Sequence, residues 1–541
     1  MNKFENQLVI LMGGKASRLC PVTYSLPKGL NIINHKPAIF NNIDTLIKYG
    51  LKDIIIVCND SNYDIISSMF RKCYKNLLNI QIVIQHELNG PLGAFQCAEP
   101  YINKSTLLML GDTLCDCNFD YSKNFVGISE NKNTNDFQRW CFAITDEDNK
   151  ILEYEDKPNN KPISNKIVIG VYYFKNANLL KTLLKKDYPE LNNEKQLSSL
   201  LSVYMKKEDM FAQTITKWQD IGTLENYVNT NSAYLTGRYF NNFKKTDLSI
   251  EKQSKEKVVS YEIDWYRQIS KTPLKVLIPQ FVSYKKGHND YRYKMELLSG
   301  NTLYTYLNYY DIPISNVEYI IKSLFYTANI MWSYSNKKCV MNMPLASRYV
   351  FLSKTERRLK EWNNDIINKH EIILNGRKLL GYKEVLNRLS NQIEDLISQS
   401  EKYKAVIHGD LNFSNIFYYP DIGKFLFIDP RGKYYKIGIY GDKRYDVAKM
   451  RHSFVYKHNK LTHAGFSLQC DANEYKLTYD YDKKEDQLFD KIALMYGFNP
   501  SEIKIIDGLL FLSQIPLHKE DHSFQIASFL IGLKILNDSI V

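Results

Sequence analysis

Four short apolar runs punctuate the first 111 residues: LVILM (8–12), DIIIVCN (53–59), IQIVIQ (80–85) and TLLMLG (106–111). Each is rich in Ile, Leu and Val, and helical stretches with polar or glycine-containing segments separate them. A strand with one wet face alternates apolar and polar residues, so runs this continuous read as strands buried on both faces of a mostly parallel sheet. An open α/β sheet holds its ligand at the carboxyl ends of its strands, where Gly13, Gly14 and Asp112 fall.

That alternation continues to about Tyr234. The segment TGRYFNNFKK (236–245) shows no helical or strand period of its own and reads as the boundary between two domains, 1–235 and 246–541. A chain of 541 residues is too long for one hydrophobic core, which agrees with that division. After the boundary come strand-like pieces (SIEKQ, VLIPQFVSY, YRYKMELL), then mostly helical sequence from 313 to 400, then the string HGDLNFSNI (408–416) and more helix. A small sheet-rich lobe followed by a larger helical lobe is expected.

The net charge of +12 is spread along the chain, and no run of five or six basic residues appears, so no nucleic-acid partner is expected. A diffuse positive field suits phosphorylated substrates. Nine cysteines are scattered without CxxC or zinc spacing, which reads as reduced thiols in a cytoplasmic protein. No stretch approaches 18 apolar residues, and the run from Leu8 to Met12 leads straight into a glycine turn. A soluble protein without membrane partners is expected, its oligomeric state open.

The loop after the first apolar run brings glycines beside positive charge: Gly13 and Gly14 allow close backbone approach to a triphosphate, and Arg18 and Lys28 neutralise it. Its pattern, G-G-x-A-S-R-L-x-P-x-T-x-x-x-P-K, resembles the G-G-x-G-T-R-L-x-P-x-T-x-x-x-P-K loop of sugar-1-phosphate nucleotidylyltransferases. Five more segments come in the family's order. Gln85 with Gly90-Pro91-Leu92-Gly93-Ala94 resembles its base-recognition segment, and Gly111-Asp112 its metal motif. Asp156-Lys157-Pro158 stands where the family has E-K-P, Gly170-Val171-Tyr172 resembles its sugar-contact strand, and Trp218 to Thr223 matches W-x-D-I-G-T. The resemblance implies a Rossmann-like fold, nucleotide binding by Gly13, Gly14, Gln85 and Gly90, and sugar-phosphate contacts from Asp156, Lys157 and Gly170. It also implies a magnesium ion held by Asp112 and Asp220, with Arg18 and Lys28 acting in catalysis. Ala16, Pro91 and Asp156 depart from the family's Gly, Thr and Glu, which bears on base and sugar choice.

The second signature rests on spacing. Transfer of a phosphoryl group to a hydroxyl needs an Asp to orient the hydroxyl proton, an Asn five residues on to ligate magnesium, and a second Asp to bridge magnesium to the phosphates. Asp410, Asn415 and Asp429 fill these roles. The strings HGDLNFSNI, IDPRG (428–432) and GDKRYDVAK (441–449) resemble the aminoglycoside phosphotransferase and choline kinase family, which implies a protein-kinase-like bilobal α+β fold. By that resemblance Lys252 and Glu262 form the ion pair that positions ATP, and Glu296 lies at the hinge to adenine. His408 and Asp446 read as residues that fix the loop, and Arg431 as a contact for an anionic group. No glycine-rich G-x-G-x-x-G precedes Lys252, which argues against a protein kinase proper.

Together these imply a bifunctional enzyme using ATP, a second NTP and Mg2+ at both sites. One domain phosphorylates a sugar or small alcohol, and the other couples a sugar phosphate to a nucleotide for glycan synthesis. An amino-alcohol kinase joined to a CTP-dependent cytidylyltransferase is the alternative with the same folds. A nucleotide-sensing module with one inactive domain is the third, opposed by intact Asp112, Asp220, Asp410, Asn415 and Asp429.

Overall fold

The computed structural model describes residues 6–14, 26–33, 36–130, 137–191, 193–233, 241–246, 248–334, 341–462, 465–471 and 474–540. The chain divides into two compact units, residues 1–235 with 309–311, and residues 236–308 with 312–541. Among the described residues no helix is long and apolar enough to cross a membrane.

In the first unit the four apolar runs are neighbouring parallel strands: Gln7–Leu11 lies between Asp53–Asn59 and Thr106–Leu110, and Asn79–Gln85 pairs with Asp53–Asn59. Val9, Ile10, Ile56, Val57, Leu107 and Leu108 are fully buried, as a sheet covered on both faces requires. The chain leaves Gln7–Leu11 on one side for two strands and then returns to its other side, so the order reverses between Gln7–Leu11 and Thr106–Leu110. A crevice opens at such a reversal, beyond the carboxyl ends of the two strands.

The sheet is more mixed than its apolar runs suggest. Beyond Thr106–Leu110, Lys166–Phe174 pairs antiparallel, and Phe125–Glu130 and the hairpin Cys141–Thr145 and Ile151–Asp156 extend that flank. Phe211–Thr214, parallel to Phe125–Glu130, completes nine strands among the described residues. Cys141–Thr145 and Ile151–Asp156, joined by a short connection, pair antiparallel because a parallel return needs a long crossover.

The second unit begins with a four-stranded antiparallel sheet in the order Asn241–Lys245, Ser249–Ser254, Asp290–Glu296, Phe281–Gly287, with the helix Lys257–Ile269 packed on it. Asn241–Lys245 corrects the reading of 236–245 as patternless. Asn242, Lys244 and Lys245 are exposed and Phe243 is only half-buried, so no apolar run marks this outer strand, which ladders with Ser249–Ser254. Helices Ile314–Trp332, Lys443–Phe454, Pro500–Gln514 and His522–Asp538 bury the larger core. The stretch from 313 to 400 is mostly helical, as expected, with one interruption among the described residues. Glu371–Leu374 and Arg377–Leu380 form a hairpin that joins Glu474–Tyr479 and Phe466–Asp471 in a separate four-stranded sheet.

Candidate functional sites

At the reversal point of the first unit, Gly13 and Gly14 come just after Gln7–Leu11, and Asp112 just after Thr106–Leu110. The Asn59 side-chain amide donates to the Gly13 carbonyl at 2.9 Å and fixes the start of the loop. Gly29 explains how a lysine reaches the same place: a Cβ there would lie 2.3 Å from the Gly111 carbonyl oxygen, so only glycine lets the two backbones touch. That contact sets Lys28 beside Asp112, and its ammonium donates to Asp112 Oδ2.

Two cavities meet at this pair. The larger, of about 590 Å³, is lined by Gly13, Gly14, Gln85 and Gly90 among others. The smaller, of about 210 Å³, is lined by Asp156, Lys157, Gly170, Trp218 and Asp220. Lys28, Pro91, Leu110, Asp112 and Gly222 line both. Gln85 is buried, and its amide donates to Asn89 Oδ1 at 3.0 Å and to the Gly90 carbonyl at 3.3 Å. Asp156 accepts from the Ser198 hydroxyl at 2.6 Å, and Lys157 stands 3.8 Å from Glu194. Gly170 has φ +80° and interrupts the register of Lys166–Phe174 with Phe125–Glu130. Arg18 falls within 15–25, outside the described residues.

Asp220 accepts from the Gly222 amide at 2.7 Å and from the Asn226 amide at 2.9 Å. Its Oδ1 and Lys28 Nζ both come within 3 Å of where a Cβ on Gly222 would stand, which puts the ammonium between two carboxylates. Burial, then the charge of Asp112, raise the Asp220 pKa above the ordinary carboxylate range, against the pull of Lys28. Asp112 and Asp220 both line the smaller cavity, and two hard oxygen donors there fit a magnesium ion, which binds through one or two carboxylates and completes its shell with water and substrate phosphates. Among the described residues no group of three or more His, Cys, Asp or Glu converges on one point.

Arg139 was not read from the sequence as part of this site. Its guanidinium lies 3.3 Å from Asp220, and Trp140 beside it meets Trp218 edge-on at 5.4 Å. Its segment carries no motif, and only the approach of Cys141–Thr145 to the sheet brings it in.

Comparison with known proteins bears on this unit. The model of the family "Nucleotidyl transferase" matches residues 7–237. The first unit is a nucleotidyl transferase domain. Among its relatives, the "Bifunctional protein GlmU" of Methanococcus aeolicus is 28% identical over 238 residues, covering 42% of this chain and 54% of the relative. The glucose-1-phosphate thymidylyltransferase of Xanthomonas campestris is 26% identical over 227 residues, covering 40% of this chain and 76% of the relative. The alignment thus spans about half of the first relative's length and three quarters of the second's. A solved UDP-glucose pyrophosphorylase complexed with UDP-glucose is 22% identical, with a TM-score of 0.39, covering 42% of this chain and 98% of its own. Within the transferase domain the six motif segments fall on the two cavities, apart from the portion of the first loop outside the described residues.

The second unit gathers another cluster. Lys252, on Ser249–Ser254, donates to Glu262 Oε2 at 2.8 Å and to Asp429 Oδ1 at 3.2 Å, and the Tyr293 hydroxyl bridges the same two carboxylates at 3.0 and 3.3 Å. Burial works against the Lys252 ammonium, yet Asp429 and Glu262 outweigh it and hold the lysine charged, its pKa above the ordinary value. Asp429 has φ +54°, strained for a residue with a side chain, and its amide is held by the Tyr266 hydroxyl at 3.1 Å. Strain of this kind persists only where surrounding structure imposes it, and it collects at functional sites.

Asp410 comes after the buried strand Lys404–Val406 and is held on three sides. Asn412 donates to its Oδ1 at 2.9 Å, Asn415 donates to its backbone carbonyl at 2.9 Å, and Lys449 lies 3.1 Å from Oδ1. Burial raises the Asp410 pKa, but Lys449, Arg431 and His408 outweigh it and bring it to about 2. His408 Nε2 donates to the Ile428 carbonyl at 2.8 Å while its Nδ1 accepts the Asp410 amide at 3.3 Å, a pattern that needs the neutral ring. Burial lowers its pKa to about 4 despite nearby Asp410. Asp446 receives the His408 and Gly409 amides at 2.9 and 2.8 Å and so braces the turn. Glu296 stands apart: it pairs with Ser249 across the ladder while Lys252 pairs with Tyr293, and its carboxylate accepts from the Gln280 amide at 3.1 Å. Tyr293 and Lys449 were not read from the sequence, although Lys449 lies in GDKRYDVAK, three residues after Asp446.

Proposed function

We propose that the first unit joins a sugar 1-phosphate to a nucleoside triphosphate, giving an NDP-sugar and pyrophosphate. The observation that carries this reading is the pair of cavities sharing Lys28 and Asp112. The larger accommodates the nucleotide, with Gln85 and Gly90 toward the base and Gly13 and Gly14 toward the phosphates. The smaller accommodates the sugar phosphate against Asp156, Lys157 and Gly170. A phosphate oxygen of the sugar attacks the α-phosphorus; the new P–O bond forms as the bond to the β-phosphate oxygen breaks, and pyrophosphate leaves. Lys28 at the junction screens the two anions, and Arg18 belongs to the same triphosphate-holding set. Asp112 and Asp220 would hold magnesium, which when bound would spread the charge that builds on the reacting phosphate.

The second unit is proposed as a phosphotransferase that moves the γ-phosphoryl group of ATP to a hydroxyl of a sugar or small alcohol. Asp410 takes the hydroxyl proton as the acceptor oxygen bonds to phosphorus and ADP departs. Lys252, fixed by Glu262, holds the ATP phosphates; Asn415 and Asp429 would hold magnesium. Glu296, at the end of its strand, lies toward the adenine side. The kinase product is then the substrate of the transferase, which gives the fusion its reason.

Incubating the protein with each NTP, magnesium and a panel of sugar 1-phosphates tests the first half through pyrophosphate release. Release with at least one pair, lost in Asp112→Ala, supports the reading; no release with any pair contradicts it.

A further inference from the structure

We propose that the second unit has an anion-binding site beside Asp410, formed by Lys354, Arg358, Arg431 and Lys449, and that its acceptor carries a carboxylate or phosphate group near the reacting hydroxyl. The acceptor clause rests on the phosphotransferase reading; the anion site does not.

Lys354 begins the helix Lys354–Trp362, directly after a π-helical turn, Tyr349–Ser353. Such a turn inserts a residue into the helix and re-aims the next turn, often at a functional site. The side chain of Lys354 points inward with Thr355 and Leu359 and is 5% exposed. Among the described residues no carboxylate pairs with it. Its surroundings are cationic: Arg431, Arg358, Lys449 and Arg357, in that order after burial itself, push its pKa well below the ordinary lysine value. The one stabilising contact among the described residues is the face of Tyr445, 5.5 Å from Nζ.

Arg431 shares that ring. Its Nη1 donates to the Tyr445 hydroxyl at 2.7 Å, and its Cζ lies 5.9 Å from the ring centre. Arg358 donates to the Ser513 carbonyl at 2.7 Å and shows the same repulsion, its pKa lowered by burial and then by Arg431, with Glu361 only a weak counterweight. Lys449 completes the set through Asp410, 3.1 Å away, the one acid paired with it among the described residues. Lys449 and Arg431 therefore act on Asp410, and Lys354 shares the Tyr445 ring with Arg431, so this cluster of cations has one closely paired carboxylate among the described residues. A buried lysine without an acid is costly unless an anion arrives to pair with it, and a fold that keeps one on the same ring as Arg431, whose charge acts on the proposed catalytic Asp410, has a use for that anion. The same field repels a choline-like cation, which sets this site against an amino-alcohol acceptor.

Hydrogen-exchange mass spectrometry on the full chain tests the site, because it reports on Lys354–Trp362 separately from the transferase domain. Sodium phosphate and sodium acetate are compared with sodium chloride at equal ionic strength, for the parent and for Lys354→Met. Slower exchange in Lys354–Trp362 with phosphate or acetate, abolished in Lys354→Met, supports the site; phosphate alone points to a phosphorylated acceptor, and acetate alone to a carboxylated one. Lys354→Met is also expected to melt higher than the parent without added anion, since it removes a buried amine that no acid compensates among the described residues. Equal exchange in all three salts, or a variant that melts lower and retains the protection, overturns the proposal. ATP consumption with hydroxy acids, sugar phosphates and neutral sugars separates the two claims: anion protection without phosphoryl transfer leaves the site standing and removes the phosphotransferase reading. Transfer to neutral sugars only, without anion protection, does the reverse.

Discussion

Lys28 and Asp112, 84 residues apart in the chain, form an ion pair where the two cavities of the transferase domain meet. The glycine contact between Gly29 and Gly111 places them there, and Asp220 closes the group from the far side. A single ammonium thus serves both cavities.

Lys28→Met removes that shared charge while keeping the stem. Pyrophosphate release is expected to fall about 100-fold or more, the scale for losing one aimed charge at a reacting phosphate. Thermal melting should change little, because both partners are a quarter exposed. A variant with unchanged turnover would remove Lys28 from the catalytic set.

Gly29→Ala tests how the pair is assembled. The added methyl must displace the Gly111 carbonyl, at an expected cost of about 1–3 kcal/mol in denaturant unfolding. Transferase turnover should fall with it, since Lys28 and Asp112 are pushed apart.

In the second unit Lys252→Met leaves Glu262 and Asp429 facing each other without a cation. Breaking a buried pair from one side costs about 3 kcal/mol or more, so the unit is expected to unfold at lower denaturant. ATP-dependent phosphorylation should be lost, while pyrophosphate release by the first unit stays at the parent level.

His408 supplies a pH test. Its pKa of about 4 lies below the ordinary value near 6.5, so the native state binds the proton less readily than the unfolded chain. The stability it contributes is fully present above about pH 6.5 and is lost as pH falls through 4, in total about 3 kcal/mol. His408→Gln keeps a donor for the Ile428 carbonyl and has no proton to gain. The parent's stability advantage at pH 7 over pH 4 should exceed that of the variant by about this amount in urea unfolding; parallel curves would show that His408 does not titrate as described.

Burial decides which elements are legible in the sequence. Strands covered on both faces are continuous apolar runs, so Asp53–Asn59 and Thr106–Leu110 stand out, whereas Ile151–Asp156, exposed along part of its length, does not. Asn241–Lys245 is an outer strand of mostly exposed residues, and Glu371–Leu374 alternates exposed with buried residues beside helices, which hides both. Motif residues are legible because phosphate chemistry needs particular groups at particular spacings. Arg139 and Lys354 obey no such spacing: in KTERRLKEW a buried lysine is indistinguishable from its surface neighbours until the helix is placed.

The most direct test of the whole account is a mass-spectrometric assay in which the protein receives ATP, magnesium, each NTP and a panel of free sugars and acidic sugars, alongside Asp112→Ala and Asp410→Ala. The account predicts that one sugar becomes an NDP-sugar in the parent, accumulates as its phosphate in Asp112→Ala, and stays unphosphorylated in Asp410→Ala. An NDP-sugar formed undiminished by Asp112→Ala, or phosphorylation undiminished by Asp410→Ala, would contradict it.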